Sequence, residues 1–151
     1  MLLDYKQFRQ INDLPRGDIR VVVAMSGGVD SSVAAALMAE AGYNVIGVTM
    51  KLYNDNQKVT SSKTCCTGSD IKEAQNVAKI LGIKHYVLDY QVNFKEKVID
   101  DFINNYQNGK TPIPCIRCNQ TVKFTDLVQF TKSVKSEILV TGHYVRRSQK
   151  N

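Results

Sequence analysis

Met25-Ser26-Gly27-Gly28-Val29-Asp30-Ser31-Ser32 is the stretch on which the reading of the chain turns. The apolar run before it, Ile19-Arg20-Val21-Val22-Val23-Ala24, reads as a buried strand. The alanine-rich segment after it, Val33 to Ala41, reads as an amphipathic helix. The order is therefore strand, glycine–serine loop, helix N-terminus. Gly27 and Gly28 can take positive φ and let the backbone come close to a ligand. The free N–H groups of the first helical turn point into the loop, and the helix dipole favours an anion there. Ser26, Ser31 and Ser32 add hydroxyl donors. Asp30 is an acid beside an anion site, which calls for a cation such as Mg²⁺ between them.

The loop is not a Walker A sequence, which needs G-x-x-x-x-G-K-[ST] and its lysine, nor is it G-x-G-x-x-G. Ser-Gly-Gly-x-Asp-Ser-Ser resembles the pyrophosphate loop of the N-type ATP pyrophosphatases. That resemblance implies ATP cleaved between its α- and β-phosphates, with AMP passed to an oxygen. The plain structural alternative is a tight strand–helix turn capped by serines.

At 151 residues the chain is long enough for one domain with a real core. Apolar residues make up 43% and charged residues 23%, ordinary for a water-facing globular chain. No run approaches the roughly 18 apolar residues of a membrane span, and Met1 to Lys6 do not form a signal peptide. No membrane association and a cytoplasmic location are the expectation. The net charge of +6 points weakly to a polyanionic partner. The four cysteines fall in two close pairs, Cys65-Cys66 and Cys115-x-x-Cys118. Such spacing favours metal or redox chemistry over structural disulfides in a cytosolic chain.

Residues 1–18 read as a leader ahead of a domain spanning 19–151. Past the first helix, Asn44 to Met50 reads as a second buried strand, making a right-handed βαβ unit. Ligands in such sheets sit at the carboxyl ends of the strands, which places Met50 near whatever the loop holds. A long polar connection, Lys51 to Gly68, carries Cys65 and Cys66. A helix with Ile71, Ala74, Val77, Ala78 and Leu81 on one face follows, then a strand, Lys84 to Asp89. Asn93 starts a third helix that presents Val98, Ile99, Phe102, Ile103 and Tyr106 on one face. Pro112 and Pro114 stiffen the approach to Cys115 and Cys118. From Asn119 the repeat of Phe124, Leu127, Val128 and Thr131 is helical, so Cys118 falls at or just before a helix N-terminus. A thiol there is activated as a nucleophile, and Arg117 beside it would help. Glu137 to Thr141 is a fourth strand, with Gly142-His143-Tyr144 just past its end. The fold expected is α/β, a doubly wound parallel sheet of strand order about 3-2-1-4.

Cys118 reads as a nucleophile or as a buried structural thiol. Cys115 could close a disulfide with Cys118, ligate a metal or line the pocket. Two cysteines are too few for a closed zinc or iron–sulfur site, so Cys65 or Cys66 would have to fold over to complete one. His85, inside a strand, reads as a packed histidine, while His143 stands between structural and functional roles. Arg146, Arg147 and Lys150 read equally as phosphate contacts or as a solvated tail.

The loop, Thr111-Pro112-Ile113-Pro114 with Cys118-Asn119, and Thr141-Gly142-His143-Tyr144 together resemble the bacterial tRNA-specific 2-thiouridylases. The match runs from about Arg20 to Arg147. The resemblance implies ATP-dependent thiolation of a tRNA wobble uridine, with AMP and pyrophosphate as products. It assigns ATP to Ala24, Met25, Ser26, Gly27, Gly28, Val29, Asp30 and Ser31, with Met50 and Gly142 near the adenosine. It assigns the target base to Ile113, Pro114 and Cys115, and the nucleophile to Cys118. The partners implied are tRNA and a persulfide sulfur donor or relay protein. The family often has aspartate where this chain has Cys115. A second cysteine that carries the persulfide, the tRNA-binding domain and the β-barrel domain all fall beyond residue 151 in the family, so the chain is expected to be a fragment.

Three other readings stand beside this one. An iron–sulfur-dependent tRNA sulfur transferase would share the loop. An ATP-pyrophosphatase ligase or amidotransferase would need no nucleophilic cysteine in this domain. A binding module would hold ATP and turn nothing over.

Overall fold

The computed structural model of the chain describes residues 19–53 and 68–144. The leader, Cys65, Cys66 and the basic residues after Tyr144 lie outside the described residues. Strand β1 (Arg20–Ala24) runs into helix α1 (Val29–Glu40) and strand β2 (Asn44–Lys51). Helix α2 (Gly68–Ile80) and strand β3 (Lys84–Asp89) follow. Two compound helices come next. Helix α3 (Gln91–Phe94) passes through a π-helical turn, Lys95–Ile99, into α4 (Asp100–Gln107). Helix α5 (Pro114–Cys118) passes through a second π-helical turn, Asn119–Lys123, into α6 (Phe124–Ser133). Strand β4 (Ile138–Val140) ends the described chain's regular structure.

The four strands form one parallel sheet of order β3-β2-β1-β4, as the alternation of strands and helices requires. Its two faces are told apart by the period of two along each strand. Val21, Val23 and Val45 pack with Met25, Ala35, Met38 and Ala74, so α1 and α2 cover one face. Val22, Ile46 and Val48 pack with Phe94, Val98, Cys118, Val122 and Leu127, so the two compound helices cover the other. A central strand buried on both sides must be apolar at every position, and Val21, Val22 and Val23 are each fully buried.

Several boundaries differ from the sequence reading. Helix α1 starts at Val29, four residues ahead of Val33, because Asp30 and Ser31 serve as its polar first turn. The third helix starts at Gln91, and of its expected apolar face only Val98 is fully buried, with Phe94 ahead of it buried as well. Phe102, Ile103 and Tyr106 are exposed there, since the π turn rotates α4 out of line with α3. The last helix starts at Pro114, not Asn119. Proline suits the first helical position, where its missing N–H is not needed, so Pro114 opens the helix it was expected to precede.

Candidate functional site

The β1–α1 loop stands at the carboxyl end of a central strand. Gly27 has φ +81, and a Cβ there would meet the Asp70 carbonyl oxygen at 2.4 Å. The loop is thus pressed onto the start of α2 where only glycine fits. Gly28 differs from expectation: its φ is −81, and a Cβ would meet nothing closer than Ser26 Oγ at 3.5 Å. One glycine of the pair, not both, is demanded by backbone geometry.

The serines close the loop on itself. Ser31 Oγ donates to Gly28 O at 3.1 Å and accepts from Ser26 N at 3.1 Å. Ser32 Oγ donates to Gly28 O at 2.9 Å. These hydroxyls hold the turn's shape, so the donors left to face a ligand are the backbone N–H groups of the first turn. Gly142 closes the site from β4. Its α-carbon lies so near the α1 N-terminus that a Cβ would stand 2.8 Å from Ser31 N.

Beneath the loop, Met25 O accepts from Thr49 Oγ1 at 2.7 Å. Thr49 Oγ1 in turn lies 2.9 Å from His85 Nε2. Because the threonine proton is committed to Met25, the histidine must donate, which makes it the Nε2–H tautomer. His85 Nδ1 is buried without a partner among the described residues. Burial lowers the pKa of His85 below its ordinary value. His85 is therefore a packed histidine, as read from its place in a strand, and it braces the loop from behind.

A cavity of about 280 Å³ opens between the loop, the strand ends and the α5–α6 helix. Ala24, Met25, Ser26, Asp30, Ser31, Met50 and Gly142 line it, which brings seven of the ten expected nucleotide residues to one place. Gly27, Gly28 and Val29 are not in its wall, and Val29 is 77% exposed. Val48, Lys123, Phe124, Leu127, Thr141 and His143 complete the wall. His143 joins it with Nδ1 2.8 Å from Thr141 Oγ1 and its ring 5.7 Å from that of Phe124. Asp30 borders the cavity with Oδ1 accepting from Tyr144 OH at 2.6 Å. That bond, and the charge behind it, raises the Tyr144 pKa.

The cysteine segment is arranged differently from its reading. Cys118 is the fifth residue of its helix and not at its N-terminus, so the helix-end argument for an activated thiol does not apply to it. It is 6% exposed, packed in the core with Met50, Val48 and Leu127, next to the cavity rather than in its wall. Arg117 does not flank it. On a helix, successive residues point about 100° apart, and Arg117 Nε turns to Asp101 Oδ2 at 3.8 Å. Cys115 is exposed. Ile113 and Pro114 line a separate hollow of about 300 Å³ with Phe102, Asn105 and Arg117. The residues expected to meet a base and those expected to meet a nucleotide thus lie on neighbouring but distinct surfaces. Among the described residues no group of three or more His, Cys, Asp or Glu could hold a metal ion, and no helix is long and apolar enough to cross a membrane.

The sequence assigns no site role to Lys123, Phe124 or Tyr144. Phe124 shows in the sequence only as part of a helical repeat. Tyr144 reaches Asp30 from 114 residues away, and no local pattern announces such a contact.

A parallel sheet of this order, with a glycine–serine loop and a cavity at its carboxyl ends, defines an α/β domain of the pyrophosphate-loop type. Within that class the chain belongs to the family described as the tRNA methyl transferase HUP domain, whose model matches residues 19–151. Curated relatives agree along the same length. A protein of Wolbachia sp. subsp. Drosophila simulans, named tRNA-specific 2-thiouridylase MnmA, is 52% identical over all of this chain and 41% of its own length. The protein of that name from Orientia tsutsugamushi is 58% identical over 84% of this chain and 34% of its own length. The chain therefore spans about two fifths or less of these relatives. Among solved structures, a predicted subunit of tRNA methyltransferase from Methanocaldococcus jannaschii is 31% identical, with a TM-score of 0.54 over 83% of this chain and 53% of its own. An NH3-dependent NAD synthetase from Campylobacter jejuni shares the fold at 18% identity, with a TM-score of 0.54 over 90% of this chain and 51% of its own.

Proposed function

We propose that this chain is the ATP-using domain of a tRNA 2-thiouridylase. The observation that carries the reading is the convergence of the loop, Met50 and Gly142 on one cavity, with Cys118 packed directly behind its wall. The family description speaks of methyl transfer and the named relatives of thiolation. A loop built to hold a phosphate chain beside a cysteine-bearing helix favours thiolation.

The chemistry follows from the leaving groups. The C2 oxygen of a uridine leaves poorly. It attacks the α-phosphorus of ATP, the bond to the β-phosphate oxygen breaks, and pyrophosphate departs with the electron pair. The N–H groups at the α1 N-terminus face the phosphate chain and favour its charge. A persulfide sulfur from the donor then adds to C2, and AMP leaves with the C2–O electron pair. Attack of the Cys118 thiolate on the donor's inner sulfur breaks the S–S bond, leaves the outer sulfur on the base with the electron pair, and forms a mixed disulfide between Cys118 and the donor. In the present packing Cys118 is in the core, so the α5 end must open for this step.

Mg²⁺ fits the residues present. Asp30 borders the cavity, and Tyr144 engages only its Oδ1, so Oδ2 is available to a hard cation that takes its other ligands from phosphate and water. Bound there with ATP, the ion would neutralise phosphate charge. Target-base contacts at Ile113, Pro114 and Cys115 belong to the neighbouring hollow and the exposed end of α5.

The test is pyrophosphate release from ATP and Mg²⁺ with and without unmodified tRNA, and 2-thiouridine formation on adding a persulfide donor. Release should depend on tRNA. Asp30→Ala should abolish it, and Cys118→Ser should spare it while blocking thiolation. Release indifferent to tRNA would sink the reading and favour a ligase of the same fold.

A further inference from the structure

The loop, residues 25–32, contains no lysine or arginine, so it offers a phosphate chain dipoles but no fixed positive charge. Among the described residues the permanent cation in the cavity wall is Lys123, on the α5–α6 helix. Its placement follows from the helix that carries it. In a regular α-helix, residues five apart point about 140° apart. The π-helical turn Asn119–Lys123 closes i to i+5 instead, and brings Lys123 back toward the side of Cys118. Such turns recur at functional sites.

Depth in the cavity is also set by topology. Strand β4 is parallel to β1, whose carboxyl end bears the loop. Helix α6 leads back to the start of β4, so it descends from the carboxyl end of the sheet. Lys123 therefore sits one turn nearer the mouth than Leu127, which belongs to the apolar wall with Val48 and Met50. An adenine on that wall would place the phosphate adjoining the ribose, not the far phosphates, beside Lys123. Among the described residues no carboxylate pairs with this ammonium, whereas Lys95 pairs with Asp100 and Arg117 with Asp101.

We propose that Lys123 binds the α-phosphate of the nucleotide across the cavity from the loop, and keeps hold of the adenylyl group after pyrophosphate leaves. The proposal rests on the ATP reading above. The loop amides take the far phosphates, and the ammonium, a compact point charge, takes the near one. The α-phosphorus is the atom attacked, so a cation there acts where charge is rearranged.

The experiment titrates ATP, AMP, adenosine and pyrophosphate into the full chain and into Lys123→Gln and Lys123→Arg, following heat or NMR shifts. Lys123→Gln should weaken ATP and AMP by about tenfold or more, as loss of a charge-assisted contact does. Adenosine and pyrophosphate should bind it as they bind the parent, and Lys123→Arg should recover most of the loss. Unchanged ATP and AMP affinity overturns the proposal. So does an equal loss for adenosine, which would mean a collapsed pocket, or a loss for pyrophosphate but not AMP, which would place the lysine on the far phosphates. If the parent chain binds no ATP, the nucleotide reading itself falls and this one with it.

Discussion

Gly27 and Gly28 are adjacent and identical, yet the fold asks different things of them. At Gly27 a side chain would be in the left-handed region and would run into Asp70 backbone, which cannot swing aside. The left-handed conformation alone costs roughly 1–2 kcal/mol, and the clash adds to it. At Gly28 the backbone is ordinary and the nearest atom, Ser26 Oγ, is at van der Waals distance. Gly27→Ala should therefore lose at least about 2 kcal/mol of stability, and Gly28→Ala less than about 1 kcal/mol. Urea denaturation of the two variants checks this. Equal losses would show that the approach to Asp70 does not hold the loop. The same contrast shows what a motif hides. Both glycines are part of the pattern, but only contact with α2 tells which one is held by its geometry.

At the level of elements, the loop is tied to the sheet by a chain of hydrogen bonds that crosses β2 to β3: Met25 O, Thr49 Oγ1 and His85 Nε2. The chain works with neutral histidine. Protonation puts charge on Nδ1, which is buried with no acceptor among the described residues. The sign follows from the lowered pKa. Between that lowered value and the ordinary 6.5, the unfolded chain binds the proton and the folded one does not, so stability falls as pH falls. Above 6.5 both forms are neutral and the effect is absent. The denaturation midpoint should thus drop on going from about pH 7 to about pH 5, and His85→Gln should flatten that part of the profile. A variant as pH-sensitive as the parent would place the effect on other groups. The π turns are the other element-scale feature. They decide which residues of the two long helices face the sheet, and they explain why Phe102, Ile103, Phe124 and Val128 are exposed although their spacing marks an apolar face.

Across the whole molecule, the cavity is walled by β1, β2, the α1 N-terminus, the α5–α6 helix and the residues after β4. A ligand in it bridges segments from Ala24 to His143, and binding should stabilise the fold as a unit. At a ligand concentration 100 times its dissociation constant the gain is about 2.7 kcal/mol. ATP with Mg²⁺ should raise the melting temperature of the chain, and Asp30→Ala should remove the part that depends on Mg²⁺. A metal-dependent rise that survives in Asp30→Ala would place the ion elsewhere.

The sequence alone determined the architecture and the loop. Alternating buried strands and periodic helices admit few arrangements, and the β3-β2-β1-β4 order is the one read from them. It also located seven of the cavity's wall residues, because a strand's carboxyl end is where a parallel sheet exposes backbone to a ligand. Tertiary structure alone decided the rest. Pro114 opens a helix because the chain behind it is extended, and that buries Cys118 in the core instead of presenting it at a helix end. A π turn brings Lys123 to the cavity, and Tyr144 meets Asp30 across the whole chain. Local pattern records which face of an element is apolar. It does not record a helix's rotation about its own axis, nor which distant groups that rotation brings within a few ångströms.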